Sequence, residues 1–196
     1  MNRVLTIVGS SARAAARSAA DAGFLVRAGD LFADADLCRI SQATRVSQYP
    51  AGLAAVVGGS QPGAWMYTGA LENHPSLVDA MARQRPLWGN PAAVLHRVRS
   101  PRRVAEALGR SGLACPTVAV EPRAVPRDGS WLCKPRRSAG GRGISFWTHQ
   151  SPPANRRHAC YYQQFVEGAA CSAAYVAARG RAVLLGITRQ LIGQAW

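Results

Sequence analysis

The feature that most constrains the fold is the alternation of apolar and alanine-rich segments at the start of the chain. "RVLTIVG" (3–9) has the character of a buried strand, "SSARAAARSAADAG" (10–23) of a helix, and "FLVRAGD" (24–30) of a second strand. Strand, helix and strand joined by short turns predict a βαβ unit, which places its strands in one parallel sheet. Ser10 or Ser11 is the predicted N-cap of this helix, and Gly23 is predicted to lie past its end.

The same alternation continues through the first half of the chain and predicts an α/β domain that ends near residue 98. "AGLAAVVGG" (51–59) and "PSLVDAMARQ" (75–84) are predicted helices, and "AWMYTGA" (64–70) is a predicted strand. The turn after the first strand is GSSARA (9–14), so the dinucleotide pattern GxGxxG is absent, and GxxxxGK[ST] occurs nowhere. Glu72, Asn73 and His74 follow the strand at 64–70, and turn chemistry explains them better than substrate contact does.

The second half of the chain changes to a mainly antiparallel pattern. Ser100 as N-cap and Pro101 at the first helical position predict a helix over "SPRRVAEALGRSGL" (100–113), with Gly112 near its end. Short strands are then predicted, and the last two form a hairpin through "RG" (179–180). These strands are "SWLCKP" (130–135), "ISFWT" (144–148), "CYYQQFV" (160–166), "CSAAYVAAR" (171–179) and "RAVLLGIT" (181–188).

One loop between these strands carries the only lysine of the chain beside a run of glycines. Lys134 ends a predicted strand, and Gly140, Gly141 and Gly143 follow it. Residues without a Cβ let a loop curl and present backbone N–H groups to an anion, and an ammonium group meets a phosphate oxygen as a compact point charge. The pattern therefore indicates a phosphate site, and the alternative is a hairpin loop with an incidental lysine.

The charge and the cysteines narrow the class of protein. The formal net charge of +14 comes from arginines scattered along the chain, with no basic helix, aromatic-interleaved stripe or zinc-finger spacing, so nucleic-acid binding is the less favoured alternative. Five cysteines without a CxxC pair argue against a disulfide framework or a zinc site, and the expected location is the cytoplasm. No apolar run approaches the roughly 20 residues that span a bilayer, so no membrane contact is expected.

The glycine loop and a second motif together resemble a known superfamily. "YYQQFVEGAACSAAYVA" (161–177) resembles the hinge of the ATP-grasp superfamily, and so does its distance from Lys134 and the glycine loop. Four further phrases look like a branch of predicted carboligases distantly similar to biotin carboxylase. They are "VGSSARAAARSAADAGF" with "AGDLFADADL" (8–37), "GALEN" followed by Pro75, "LWGN" (87–90) and "GLACPT" (112–117).

The resemblance implies an α/β fold, in which a Rossmann-like pre-ATP-grasp domain (1–98) precedes an incomplete α+β ATP-grasp domain (99–196). Residues from about 115 to 162 would form the small lobe over ATP, and the large lobe would start at about 163. Lys134 would contact ATP phosphates, and the loop matching Ser138, Gly140, Gly141 and Gly143 would cover them. Gln163 would face the adenine amino group, and the backbone of Gln164 to Val166 would hydrogen-bond the adenine edge, with apolar contact from Phe165 and Val166. For Gln163, Gln164 and Glu167 the alternative is an alternating strand that faces solvent.

The sequence departs from the superfamily pattern at three places. The helix start before the small lobe has no second phosphate-binding lysine. Arg99 or Arg102 is the open substitute, and the alternative is an ordinary exposed arginine at a helix start. Ala170 stands where family members often carry a ribose-binding glutamate. The Mg²⁺ ligands of the family lie well downstream of the hinge, whereas no Asp or Glu follows Glu167. We therefore expect these ligands beyond the end of this chain, which resembles a ligase that lacks its catalytic half.

The function implied for the complete form is an ATP-dependent carboxylate–amine ligase that acts through an acyl-phosphate. ATP, Mg²⁺, a small carboxylate and an amine are the implied cofactor and partners, and a homodimer is left open. Two alternatives from other classes stand beside it: a nucleotide-binding module without catalysis and a basic nucleic-acid-binding protein.

Overall fold

The computed structural model describes residues 3–59, 62–151 and 159–192, and its first part is built on a parallel sheet. The order of the strands is β3-β2-β1-β4, and β1 pairs in parallel with both β2 and β4. The strands are β1 (Val4–Val8), β2 (Leu25–Asp30), β3 (Gln42–Arg45) and β4 (Ala64–Tyr67). The helices are α1 (Arg13–Asp21), α2 (Ala35–Ile40), α3 (Leu53–Gly58), α4 (Pro75–Ala82) and α5 (Ala92–Val98).

This sheet is covered on both faces, as its almost continuously apolar central strand requires. Leu5 and Ile7 pack on one face in a cluster that includes Ala16 of α1. On the other face, Val8 packs in a second cluster with Trp65 of β4 and with residues of α3 and α4. The predicted βαβ start of the chain and the α/β class are confirmed.

The start of α1 differs from the sequence prediction, because neither Ser10 nor Ser11 caps the helix. The N-cap is Ala12, and its backbone N–H donates to the buried Asp30 carboxylate at the end of β2, 3.0 Å away. The Ser10 hydroxyl donates instead to the Gly69 carbonyl. The Asp30 carboxylate of the neighbouring strand thus accepts the hydrogen bond at the start of α1 that the sequence predicts for a serine side chain. The prediction for the other end is confirmed, since Gly23 lies past the helix with φ +80°.

The second part of the chain begins with helix α6 (Pro101–Arg110), which starts as predicted. Pro101 occupies the first turn, and the Ser100 hydroxyl accepts a hydrogen bond from the Arg103 amide at 3.5 Å. Gly112 follows the helix with φ +67°. A four-stranded antiparallel sheet comes next, in the order β5-β8-β6-β7. Its strands are β5 (Val118–Ala119), β6 (Asp128–Pro135), β7 (Ser145–Thr148) and β8 (Cys160–Gln164).

The last two strands form a separate hairpin, β9 (Cys171–Ala178) and β10 (Arg181–Arg189). Arg179 and Gly180 both have positive φ, as the two central residues of a tight hairpin turn do, so the predicted "RG" turn is confirmed. The apolar side chains of this hairpin are exposed, and Ile187 is 68% accessible. In the described residues, no helix is long and apolar enough to cross a membrane.

Candidate functional site

A cleft of about 390 Å³ lies between the α5–α6 junction and the antiparallel sheet. Segments far apart in sequence meet there: Arg99 comes from the junction, Lys134 from β6, and Gln163 from β8. Ser138 from the glycine loop and the carbon skeleton of Val98 add to the lining. The cleft therefore joins a cationic end to polar and apolar walls, which suits a ligand with an anionic and an aromatic part.

Lys134 is held in a defined position on β6. It pairs with Tyr161 of β8 in the sheet, and its Nζ donates to the Gln163 Oε1 at 3.0 Å. The same Nζ lies 5.8 Å from the centre of the Tyr161 ring. The neighbouring partners are a neutral amide and an aromatic ring, neither of which cancels the ammonium charge. The cation is thus oriented toward the cleft with its charge available to an anion.

The three glycines of the loop that follows β6 have backbone conformations that favour glycine. Gly140, Gly141 and Gly143 have φ of +60°, +73° and +76°, which strain residues with a side chain. A Cβ on Gly140 or Gly141 would meet nothing within 4 Å, so these two glycines serve conformation rather than packing. None of the three glycines lines the cleft, whereas Ser138 does. The loop therefore stands open beside Lys134.

The hinge residues divide into those that hold the sheet and those that are exposed. The Gln164 amide donates to the Thr117 carbonyl and the Phe165 amide to the Ser130 carbonyl, both at 2.9 Å. Val166 and Glu167 are exposed, and within the described part of the chain no hydrogen-bond acceptor is found for the Val166 amide. Of the N–H groups of Gln164, Phe165 and Val166, the first two are thus already used by the sheet.

Phe165 has a definite neighbour as well. Its ring meets Phe146 of β7 edge to face, with 5.0 Å between the ring centres, and it remains 43% exposed. Of the predicted site residues, the structure brings Lys134, Ser138 and Gln163 together in the cleft. It leaves the rest of the set outside the cleft lining, on the loop or at the hinge: Gly140, Gly141, Gly143, Gln164, Phe165, Val166 and Glu167.

Arg99 is the residue of this region whose role the sequence leaves open. Its Nη2 donates to the Arg136 carbonyl at 3.0 Å and to the Asn73 side chain, and its Nη1 lies 3.9 Å from the Glu72 carboxylate. Arg102, the other open arginine, is exposed and pairs with Glu106 on its own helix. Only a three-dimensional arrangement could assign Arg99, because its partners lie 26 to 37 residues away.

The turn at Glu72 and Asn73 therefore has a role beyond the local chemistry that the sequence favours. Residues Leu71–Asn73 form one 3-10 turn, and His74 begins α4 without a side-chain cap. Burial raises the pKa of Tyr67, and the negative charge of Glu72 raises it further. The Tyr67 hydroxyl consequently stays a donor, and it donates to the Asn90 carbonyl at 2.7 Å.

A thiol pair lies under the cleft on β6 and β8. Burial raises the pKa of the Cys133 thiol, and together with the charge of the neighbouring Cys160 and a hydrogen bond to it the rise brings the value to about 11. A thiol with that pKa is almost wholly protonated near neutral pH, so Cys133 acts as a small apolar residue of the sheet. The site therefore has no nucleophile at Cys133.

The described residues offer no ready metal site. No group of three or more His, Cys, Asp or Glu side chains in residues 3–59, 62–151 and 159–192 is placed to hold a metal ion. Mg²⁺ prefers hard oxygen ligands in octahedral geometry, and Glu167 alone cannot supply that set. The residues present do not fit a protein-held Mg²⁺.

Comparison with protein families decides the class. Residues 100–196, about half of the chain, match the model of the ATP-grasp domain. The chain belongs to the ATP-grasp superfamily. The match contains Lys134, the glycine loop and the hinge, which are the motifs that form and flank the cleft. A comparison with curated proteins found no match.

Solved ATP-grasp structures share the fold of this chain at low sequence identity. N5-carboxyaminoimidazole ribonucleotide synthetase in its ADP complex superposes with a TM-score of 0.70 at 13% identity, over 97% of this chain and 54% of that one. L-amino acid ligase from Bacillus licheniformis gives 0.67 at 16%, over 96% and 50%. The biotin carboxylase domain of 2-oxoglutarate carboxylase from Hydrogenobacter thermophilus gives 0.56 at 16%, over 83% and 44%. The chain thus spans about half the length of these ATP-grasp structures.

Proposed function

We propose that this chain binds ATP in the cleft beside β6, with Lys134 contacting a phosphate oxygen. The observation that carries the proposal is the convergence of Lys134, Ser138 and Gln163 on one cleft from separate segments of the sequence. Membership of the superfamily supports it, and so do solved relatives that contain ADP. A cation fixed by a neutral amide is suited to an anion, because no carboxylate in the described part of the chain pairs with it.

We assign the other predicted site residues, in the glycine loop and at the hinge, to different parts of the ATP molecule around Lys134. The loop with Ser138, Gly140, Gly141 and Gly143 covers the phosphates and offers backbone N–H groups. The oxygen of Gln163 accepts from Lys134 and has a second lone pair for the adenine amino group. The hinge residues Gln164, Phe165, Val166 and Glu167 follow the edge of the base. Among the amides of Gln164, Phe165 and Val166, that of Val166 is the donor that the described sheet leaves for the adenine edge.

For the complete form, we propose a carboxylate–amine ligase. The γ-phosphoryl group of ATP passes to a substrate carboxylate, which yields an acyl-phosphate and ADP. An amine then attacks the acyl carbon, and phosphate leaves as the amide bond forms. Such catalysis rests on positioning and charge neutralisation, which Lys134 and the loop amides provide on this side of the nucleotide. No step is assigned to Mg²⁺, since the described residues do not provide its ligands. The proposed location is the cytoplasm.

A second candidate is nucleotide binding by this chain without phosphoryl transfer. The observation that favours it is that the described residues lining the cleft include Lys134, Ser138 and Gln163, which suit binding, and no Asp or Glu. The two candidates share the ATP cleft and differ in the products. Binding alone leaves ATP intact, whereas the ligase releases ADP when a carboxylate and an amine are supplied.

Replacement of Lys134 by alanine tests the shared claim. We expect Lys134→Ala to raise the Kd for ATP about tenfold or more, because a charge-assisted contact to phosphate is lost. Isothermal titration calorimetry measures the Kd, and the melting temperature checks that the fold persists. Arg39→Ala is the matched control, because it removes one exposed positive charge from α2 far from the cleft.

Equal affinities of wild type and Lys134→Ala would refute the assignment of Lys134. The same two variants separate nucleotide binding from general attraction to polyanions. RNA binding that weakens steeply with salt and is reduced equally by both substitutions would favour the nucleic-acid alternative.

A further inference from the structure

Arg99 connects three parts of the molecule at one guanidinium group. It lies at the C-terminal end of α5, directly before the N-cap of α6. Its side chain contacts Glu72 and Asn73 in the turn after β4 and the carbonyl of Arg136 at the end of β6. The parallel sheet and the antiparallel sheet are thus joined by one side chain. That side chain is about three-quarters buried, at 28% exposure.

Arg136 is the point at which the chain leaves the antiparallel sheet for the glycine loop. Its amide donates to the Ala159 carbonyl at 2.7 Å, and its carbonyl accepts from Arg99 at 3.0 Å. Beyond it, Arg137 is exposed, and the loop contains three glycines with positive φ. Arg99 therefore supplies one of the two hydrogen bonds that fix the backbone where the loop begins.

We propose that Arg99 is a positioning residue, which sets the stem of the glycine loop from the turn after β4 and does not serve as a second phosphate-binding cation. This inference rests on the proposed ATP site. A planar guanidinium with several N–H groups can serve Glu72, Asn73 and the Arg136 carbonyl together, whereas an ammonium group is a single point charge. Its donors are directed to protein partners, and the loop that covers the phosphates is held in register with Lys134.

The affinity for ATP and for adenosine tests the proposal, because only ATP has the polyphosphate that the loop covers. We expect Arg99→Gln and Asn73→Ala to raise the Kd for ATP about fivefold and to leave the Kd for adenosine unchanged. Asn73 does not line the cleft, so an effect there passes through Arg99. Arg99→Lys should resemble Arg99→Gln, and Arg110→Gln at the exposed end of α6 is the control for lost charge.

Full recovery of ATP affinity in Arg99→Lys, with no effect of Asn73→Ala, would overturn the proposal and make Arg99 a phosphate ligand. Equal loss of ATP and adenosine binding would overturn it too, because it would mean general damage to the cleft. A melting curve of each variant identifies any that fails to fold. If the Arg99 variants do not fold, the ATP and adenosine affinities of Asn73→Ala decide whether the proposal holds.

Cleavage of the loop by trypsin tests the positioning without any nucleotide. Trypsin cuts after Arg137 and Arg142, and a loop released from its stem should be cut there about fivefold faster in Arg99→Gln and Asn73→Ala. Mass spectrometry of the fragments gives the rate at these two sites. Unchanged rates in both variants would overturn the inference. If wild type bound no ATP, the proposed function would fail, and the cleavage rates would still decide whether Arg99 positions the loop.

Discussion

The parallel and the antiparallel sheet differ in how much of each is buried. The parallel sheet has two clusters of fully or nearly fully buried side chains on its two faces, with Ile7 and Trp65 at 0% exposure. Within the residues that the structure describes, the antiparallel sheet has one cluster of three buried residues: Val125, Trp147 and Tyr162. Lys134 and Gln163 both belong to the less buried sheet. The larger buried core therefore belongs to the parallel sheet, and the candidate ATP-binding residues belong to the antiparallel sheet. Arg99 contacts both parts.

Replacing the buried tryptophan of each sheet tests this difference most strongly. Trp65→Ala should destabilise the parallel sheet by about 3–5 kcal/mol, since the closely packed surroundings cannot collapse into the cavity. Trp147→Ala should cost about 1–2 kcal/mol less, because a thinner cluster relaxes more easily. Amide hydrogen exchange measures the stability of each sheet separately, which one melting temperature cannot do.

Trp88→Ala is the matched control for this pair. Trp88 is 51% exposed, so the same chemical change should cost clearly less than it does at Trp65. A larger loss for Trp147→Ala than for Trp65→Ala would reverse the proposed order of the two sheets.

The two sheets also differ in the side chain that holds the loop after one of their strands. Arg99 comes from another element and contacts the loop after β6, whereas Asp30 belongs to β2 itself. Asp30 fixes its own loop, since its carboxylate accepts from the amides of Ala12, Phe32 and Ala33 at 2.8 to 3.0 Å. Asp30→Ala should therefore cost about 2–3 kcal/mol, because buried N–H donors lose a charged acceptor. Urea unfolding monitored by the exchange of α1 amides measures this loss.

Asp21→Ala serves as the control for a carboxylate on the surface. Asp21 pairs with Arg17 one helical turn away, and both side chains are more than half exposed. Such pairs contribute about 0.5 kcal/mol or less. Similar losses for Asp30→Ala and Asp21→Ala would contradict the anchoring role of Asp30.

The sequence predicts the elements whose signal is local. The apolar run of β1, the alanine-rich α1 and the Ser100-Pro101 start of α6 are all present as predicted. β3 has no such signal, because Gln42–Arg45 is a polar edge strand that only its parallel pairing with β2 defines. The predicted cap of α1 is wrong for a related reason, since the true acceptor comes from a residue 18 positions away.

In the candidate site, too, the sequence predicts what depends on a local pattern and misses contacts between distant residues. Lys134 and the glycines form a local pattern that predicts a loop able to curl, and in the structure all three glycines have positive φ. The contact of Lys134 with Gln163 and the role of Arg99 depend on strand register and on a turn in another sheet. Neither spacing nor composition encodes those contacts. The sequence therefore predicts the residue types of the site, and the fold supplies their partners.

The smallest expected effect concerns the indole N–H groups of the same two tryptophans. Trp65 Nε1 donates to the Arg85 carbonyl at 3.2 Å, whereas the buried Trp147 Nε1 finds no acceptor among the described residues. Phenylalanine removes a satisfied donor at Trp65 and an unsatisfied one at Trp147. Trp65→Phe should consequently cost about 1–2 kcal/mol more than Trp147→Phe, measured by hydrogen exchange in each sheet.

A cation–π contact works against this difference but does not cancel it. The Arg127 guanidinium lies 4.3 Å from the centre of the Trp147 ring, and phenylalanine keeps a weaker form of that contact. The loss is a fraction of the roughly 0.5–1 kcal/mol that such contacts provide at partly exposed sites, which is less than the cost of an unpaired buried N–H. Equal costs for the two substitutions would mean that Trp147 Nε1 is hydrogen-bonded in solution. The indole N–H groups of the two sheets would then be equally satisfied, and the smaller buried cluster of the antiparallel sheet would still set it apart.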